Sequence, residues 1–372
     1  MKRAIRKTEY FINDLPRRLY LFKISYSEKK AIRKKKPLYN GIHWSDSRQK
    51  EFDDLWIENY GKKIKPYWNK LYESMNGVYC RNYFPEMLYS TKLEPLLNPP
   101  EYCKVISDKS LTETLYGAVR GVTFPETLLV NSNGVFLDGG RNVLGFNEAI
   151  GKLCNAGACV IKPTVETGSG KGVLFLNISG GKDSESGADI ESIFKKYDKD
   201  FIIQLTVKNN KQLSALYPAS LNTFRIITYI CGGKVRCAPV SLRIGAGKNR
   251  VDNIHKGGLV VGVNADGTLK KFAYKLGYGD KSVKFTAHPD TNTVFENYYI
   301  GEIEKMISAA EELHAATPQL GIISWDLTFD ESDNIVLIEA NCRGQSVWFP
   351  QIVNECPIFG EDTPYMINRI KP

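Results

Sequence analysis

The 372 residues predict an α+β protein led by a mainly helical region. Three observations carry this reading. Up to about residue 100, apolar residues recur near helical spacing and strand signals are weak. Asn98, Pro99 and Pro100 then break the chain, and a domain boundary is expected there. Beyond the break, short β-rich runs punctuated by Gly and Asn mix αβ units with antiparallel hairpins, an order that disfavours a doubly wound parallel sheet.

The first region contains a helix that Ser45 or Asp46 can cap, with Phe52, Leu55, Trp56 and Tyr60 along one side. In the second, strands are expected over Val122–Val130, Cys159–Pro163, Val173–Asn177, Phe201–Val207, Thr223–Cys231 and Lys234–Ile244. Helices are expected over Ser110–Ala118, Phe146–Cys154, Asp189–Tyr197 and about Tyr299–Ala316. The polar stretch Tyr278–Asn297 reads as an irregular, substrate-facing loop.

Apolar residues at 42% and charged residues at 24% are ordinary for a globular chain and exclude disordered and fibrous classes. No run approaches the roughly 18 apolar residues needed to span a bilayer. Asp14, Arg17 and Arg18 interrupt the stretch a secretory core would occupy, so a cytoplasmic protein is expected. The eight cysteines form no CxxC pair and the four histidines are far apart, which argues against a zinc ribbon or a disulfide framework.

Residues 1–40 hold 13 Lys+Arg against 3 Asp+Glu, and the remaining 332 residues balance at −1. The net charge of +9 is therefore a property of this segment. A run such as Arg33-Lys34-Lys35-Lys36 suits an acidic polymer or an anionic membrane surface, or is simply a solvated helix face. Nucleic acid is the less favoured partner, because no recognisable binding module interleaves aromatic with basic residues.

Three constellations could carry chemistry. Val160-Ile161-Lys162-Pro163 leads into the turn Glu166 to Val173, which contains Thr167, Gly168, Ser169, Gly170, Lys171 and Gly172. Backbone N–H groups unshielded by Cβ atoms, together with lysines, suit polyphosphate, although a plain hairpin turn is the alternative. It is not a P-loop, since Gly172 stands where Ser or Thr should follow the lysine.

The second is a hairpin of Ile322–Phe329 and Ile335–Asn341. With a four-residue loop, Glu331 to Asn334, Asp326 falls opposite Glu339, and Asn341 shares the face of Glu339. Opposed carboxylates are unfavourable unless neutralised, and Mg²⁺ shared with substrate phosphates would do so. A solvated polar face is the alternative, and a five-residue loop would turn Asp326 to the other side. The third is Asn222-Thr223-Phe224-Arg225 with Arg243 and Asp252 to Gly258. Arginines on adjacent strands can clamp phosphate or carboxylate. A surface ion pair is the plainer reading, and His255 lacks the neighbours of a zinc ligand.

Taken in order, these pieces resemble the ATP-grasp superfamily, and in detail its sugar-transfer-associated branch. The carrying stretches are Ser107-Asp108-Lys109, Gly121 to Pro125, Val160 to Pro163 with its Gly-rich loop, Phe201 to Gln204 and Tyr217 to Ile226. Asp252-Asn253 to Gly257-Gly258, Trp325-Asp326 and Ile338 to Asn341 complete the set, which spans roughly residues 103–345. The resemblance implies an ATP-grasp fold with a basic helical region at 1–100, a lid subdomain at 101–204 and a core at 205–372.

It further implies ATP and Mg²⁺ as cofactors. Lys109 and Lys162 would contact phosphates, Thr167 to Gly172 would close over them, and Gln204, Leu205 and Val207 would lie in the linker beside adenine, with Asn222 also at the nucleotide. That linker lacks the family's usual acidic residue, since Leu205-Thr206 follows Gln204. Arg225, Arg243 and Lys162 would be catalytic, and Asp326, Glu339 and Asn341 would bind the metal. The implied reaction is ADP-forming C–N ligation of a small-molecule or saccharide carboxylate to an amine through an acylphosphate, in polysaccharide or related biosynthesis. The alternatives are an ATP-grasp kinase acting on a hydroxyl and a basic polymer-binding protein with a degenerate nucleotide fold.

Overall fold

The computed structural model describes residues 2–165, 172–250, 252–253, 257–275 and 283–372, with side chains from Arg17 onward. These fall into two units, one of residues up to Leu97 together with Arg343–Pro372, the other from Asn98 to Cys342. The expected core segment 205–372 therefore does not run to its end. Its last thirty residues pack with the helical region instead, held by buried acceptors that no local pattern announces. The Glu86 carboxylate accepts from Val347 N and Trp348 N at 2.9 and 3.0 Å, Glu94 accepts from Gly344 N and Gln345 N at 3.0 Å each, and Gln351 bonds both backbone groups of Phe84.

This first unit is helical and aromatic in its interior. The helix Asp46–Tyr60 is capped by Ser45, whose Oγ accepts from Arg48 N, and it buries Phe52, Leu55, Trp56 and Tyr60. Trp56 meets Phe84 at 6.2 Å between ring centroids. Burial, then the nearby Glu28 carboxylate, push the Glu86 pKa up to about 8 despite its backbone donors. Among the described residues no helix is long and apolar enough to cross a membrane.

The second unit is built on two sheets. Strand β1 (Val122–Thr123) pairs in parallel with Ile335 and Val336 of the hairpin in the larger sheet, and the chain then crosses to the smaller sheet at Phe124-Pro125-Glu126. One continuous strand over Val122–Val130 was expected; Pro125, without a backbone donor, marks the crossing. The smaller sheet contains β2 (Thr127–Ser132), β3 (Val135–Asp138), β4 (Val143–Leu144), β5 (Gly157–Pro163), β6 (Leu174–Ser179), β7 (Lys182–Asp183) and β8 (Phe201–Leu205), in the order β4-β3-β2-β8-β5-β6-β7. Helices Phe146–Leu153 and Ile190–Tyr197 pack Leu153 and Phe194 with Ile161, Phe201 and Ile203 of this sheet. Alternation then sends Lys162, Ile202 and Gln204 to its opposite face.

The larger sheet adds β9 (Thr223–Cys231), β10 (Lys234–Cys237), β11 (Ser241–Ile244), β12 (Leu259–Val263), β13 (Leu269–Lys275), β14 (Val283–Phe285), β15 (Ile322–Phe329) and β16 (Ile335–Asn341). Its order is β1-β16-β15-β9-β11-β12-β13-β14, with β10 paired to the far end of β9. Helix Ile303–Ala315 contributes Met306 and Leu313 to a core with Phe224, Ile226, Leu242, Ile323, Trp325 and Leu327. The alternate residues Thr223, Arg225, Arg243, Ser324 and Asp326 share the other face.

Strands β12 and β13 were not expected. The run Leu259–Val263 is buried at all five positions and so carries no alternation to read. Part of the expected irregular stretch Tyr278–Asn297 lies outside the described residues; the rest supplies β14 and a buried His288, whose Nε2 is 2.8 Å from Gly245 O.

Candidate functional site

Fifty-three positions separate Lys109 from Lys162, and backbone pairing brings them together. Lys109 N donates to Thr164 O at 2.8 Å, just beyond the end of β5, while Thr164 N is tied to Asp200 O at 2.9 Å. Asp108 fixes the turn by accepting from Ser110 N and Ser110 Oγ at 2.9 and 2.8 Å. Lys162 is 8% exposed, and burial followed by the charge of Lys109 lowers its pKa to about 8, with Glu339 opposing them. Lys109 Nζ meets Glu339 Oε1 at 3.0 Å.

The hairpin reaches the expected pairing by another route. Its turn is the five-residue form, with Phe329 opposite Ile335 and Leu327 opposite Leu337, and that register alone would set Asp326 against Ile338. A β-bulge leaves Ile338 unpaired, after which Asp326 lies opposite Glu339 and Ser324 opposite Asn341. Asn341 Nδ2 donates to Asp326 Oδ2 at 3.3 Å. The turn is held by Asp330, which accepts from Ser332 N and Asn334 N at 2.9 and 2.8 Å.

Arg225 stands directly across from Asp326 on β9, and Arg243 is set diagonally on the next strand. Arg243 Nη2 donates to Asp326 Oδ2 at 2.9 Å and its Nε lies 3.3 Å from Asp252 Oδ2; Thr223 Oγ1 also bonds Asp252. Arg225 Nη2 donates to the same Asp326 oxygen at 3.3 Å. Arg225 Nε is 2.8 Å from Asp326 Oδ1, but neither atom has an aligned hydrogen-bond partner. Distance alone satisfies the ion pair and leaves that oxygen without a directed donor. Burial, then Arg243, lower the Arg225 pKa; burial acts on Arg243 too, but Asp252, Asp326 and Glu339 outweigh it and raise its value.

A cavity of about 220 Å³ adjoins the lysines, lined by Lys109, Lys162, Gln204, Phe124, Leu337 and Ile338 among others. Gln204 is committed to the fold as well, donating from Nε2 to Pro125 O at 3.2 Å and Thr127 Oγ1 at 3.1 Å. Leu205 N is taken by Glu126 O at 2.9 Å, and Leu205 and Val207 are half-buried. Asn222 requires a correction. It is fully buried, its Nδ2 donates to Leu213 O and Tyr217 O at 2.8 and 2.9 Å, and its Oδ1 accepts from Ser220 Oγ and Gly245 N at 3.1 Å each. No hydrogen-bonding capacity remains for a nucleotide, so Asn222 is a structural residue.

Thr167, Gly168, Ser169, Gly170 and Lys171 lie outside the described residues. Gly172 ends that turn at φ +74°, where a Cβ would meet Pro163 Cγ at 2.9 Å, and its carbonyl accepts from Tyr197 OH at 2.6 Å. The sequence reading missed Arg141, which lines the cavity and bonds Ser110 O and Thr114 Oγ1. Its signal was the turn Gly139-Gly140-Arg141, in which Arg141 has φ +67°.

Comparison with known proteins gives a family and distant structural likenesses. D-alanyl-alanine synthetase A from Vibrio cholerae O1 biovar eltor is 15% identical at a TM-score of 0.44, over 73% of this chain and 67% of that one. The VanG D-Ala:D-Ser ligase from Enterococcus faecalis is 14% identical at 0.39, over 72% and 61%. An N5-carboxyaminoimidazole synthetase from Staphylococcus aureus, complexed with ADP, is 10% identical at 0.41, over 72% and 52%. The chain thus spans about two thirds or less of the length of these proteins. No curated protein matches it in sequence. The family model of the sugar-transfer associated ATP-grasp proteins matches residues 88–364, about three quarters of the sequence, and the chain belongs to that family.

Proposed function

We propose that this chain is an ATP- and Mg²⁺-dependent ligase that joins a carboxylate to an amine, with a saccharide or related small molecule supplying the carboxylate. The observation that carries the reading is the convergence of Lys109, Arg225 and Arg243 on the opposed carboxylates Asp326 and Glu339, with the buried Lys162 electrostatically coupled to Lys109 and Glu339. Such a cluster has little use for a protein nucleophile and suits phosphoryl transfer, where positioning and charge do the chemistry.

Asp326, Glu339 and Asn341 would hold Mg²⁺. They are hard oxygen donors on one end of a hairpin, and the buried Asp326 Oδ1 lacks an aligned donor. The ion would supply neutralisation of phosphate oxygens. Lys162 and Lys109 bind the ATP phosphates, Lys109 exchanging Glu339 for a phosphate oxygen. The substrate carboxylate attacks the γ-phosphorus and ADP leaves. Arg225 and Arg243 steady the transferred phosphoryl group. The amine nitrogen then attacks the acyl carbon, phosphate departs with the C–O bonding pair, and the amine loses a proton.

The test is ADP release from a panel of carboxylates and amines, with hydroxylamine added to trap the acylphosphate. Glu339→Ala is expected to abolish ADP release, and retained turnover in that variant would remove the metal assignment. A stable phosphoester in place of a trappable acyl group would convert the reading to hydroxyl phosphorylation.

A further inference from the structure

The helix Lys2–Lys34 carries an outward stripe that the nucleotide site does not use. Leu19, Phe22 and Tyr26 are exposed, Phe22 at 71%, and their i, i+3, i+7 spacing gathers them within about 60° of helix circumference. Exposed lysines border the stripe, Lys23 and Lys30 on one flank and Lys29 on the other. Between Arg17 and Lys34 the single acidic residue is Glu28, half-buried on the far side of the helix. The inner face is anchored by the buried Ile32, and Arg343 stacks on Tyr20 with 4.7 Å to the ring centroid.

We propose that this stripe docks the protein on an anionic lipid bilayer surface, with the helix lying in the interface plane. Large apolar side chains and ammonium groups share one outer arc. Rings and the leucine can enter the acyl boundary while the lysine stems bend outward and carry their charges to lipid phosphates. A soluble polyanion would engage the lysines and leave the three apolar side chains in water. A second copy of the chain would bring the same positive stripe against itself, which like-charge repulsion disfavours. The bilayer uses both features. The inference stands independently of the proposed ligase reaction.

The test is co-sedimentation of the full chain with vesicles of phosphatidylcholine alone or mixed with phosphatidylglycerol, beside binding to a soluble sulfated polyanion. Wild type is expected to sediment with the mixed vesicles and not with the neutral ones. Leu19→Ser, Phe22→Ser and Tyr26→Ser together should lower vesicle partitioning at least tenfold while leaving polyanion binding unchanged. Replacing Lys23 and Lys30 by Gln should lower it roughly fivefold for each charge removed. All variants are checked against the wild-type unfolding temperature, and Phe22→Ser alone serves if the triple variant fails that check. No sedimentation with anionic vesicles would overturn the proposal. So would partitioning indifferent to the apolar substitutions, which would assign the stripe to a soluble polyanion.

Discussion

Lys162→Met is predicted to make the protein more stable and unable to bind nucleotide. The side chain is 8% exposed, and burial with the neighbouring Lys109 brings its pKa from 10.5 to about 8. At about 1.4 kcal/mol per pH unit, keeping that ammonium charged in the folded state costs about 3 kcal/mol. Methionine fills a similar volume without the charge. At pH 7 the variant should therefore gain about 2–3 kcal/mol, a rise of roughly 5–10 °C in melting temperature for a unit of this size. Between pH 8 and 10.5 the unfolded wild type binds more protons at this lysine than the folded form, so wild-type stability rises with pH across that window. The advantage of the variant should shrink over the same range and vanish near its upper end. Urea unfolding at several pH values measures the difference, and the melting shift produced by ATP with Mg²⁺, present in wild type and absent in the variant, measures the function. A destabilised variant, or a gain that ignores pH, would refute the electrostatic account.

Four further outcomes are expected. Asp326→Ala leaves two largely buried guanidiniums without their shared carboxylate and should lose about 3 kcal/mol in urea unfolding as well as activity. Asn222→Ala breaks four buried hydrogen bonds; it should cost about 3 kcal/mol while the KM for ATP of the folded protein stays within twofold of wild type. Gly172→Ala meets both a φ of +74° and Pro163, and thermal unfolding should show a loss of about 1–2 kcal/mol. Glu86, with its folded pKa raised to about 8, binds more protons in the folded than in the unfolded chain between pH 4.5 and 8. Stability should fall as pH rises through that window, and Glu86→Gln should flatten the profile.

What could be read from sequence follows how local the information is. The strand Thr223–Cys231 and both arms of the Ile322–Asn341 hairpin were legible to the residue, because long β-branched and apolar runs bounded by turn residues leave little choice. The opposition of Asp326 and Glu339 was also legible, although the loop length that gave it was wrong and the bulge at Ile338 restored it. Neither periodicity nor turn chemistry marks such a bulge. The packing of residues 343–372 with the helical unit was not legible, since it rests on Glu86, Glu94 and Gln351 accepting from backbone some 250 positions away. Asn222 was misread for a related reason. A polar residue leading into the strand that carries Arg225 looks like part of a site until its four partners are seen to be groups of its own fold.

The bulge also relaxes a rule that governs every regular strand. Alternation forbids sequence neighbours from serving the same side of a sheet, yet Ile338 lines the cavity beside Lys109 while Glu339 holds the ammonium of that same lysine. One extra residue thus lets a single edge furnish a greasy floor and an acid shoulder to shoulder. Deleting Ile338 would straighten the ladder and still leave Asp326 facing Glu339, so the two jobs are separable. The shortened hairpin would keep its opposed carboxylates while losing part of the apolar wall of the cavity beside Lys109.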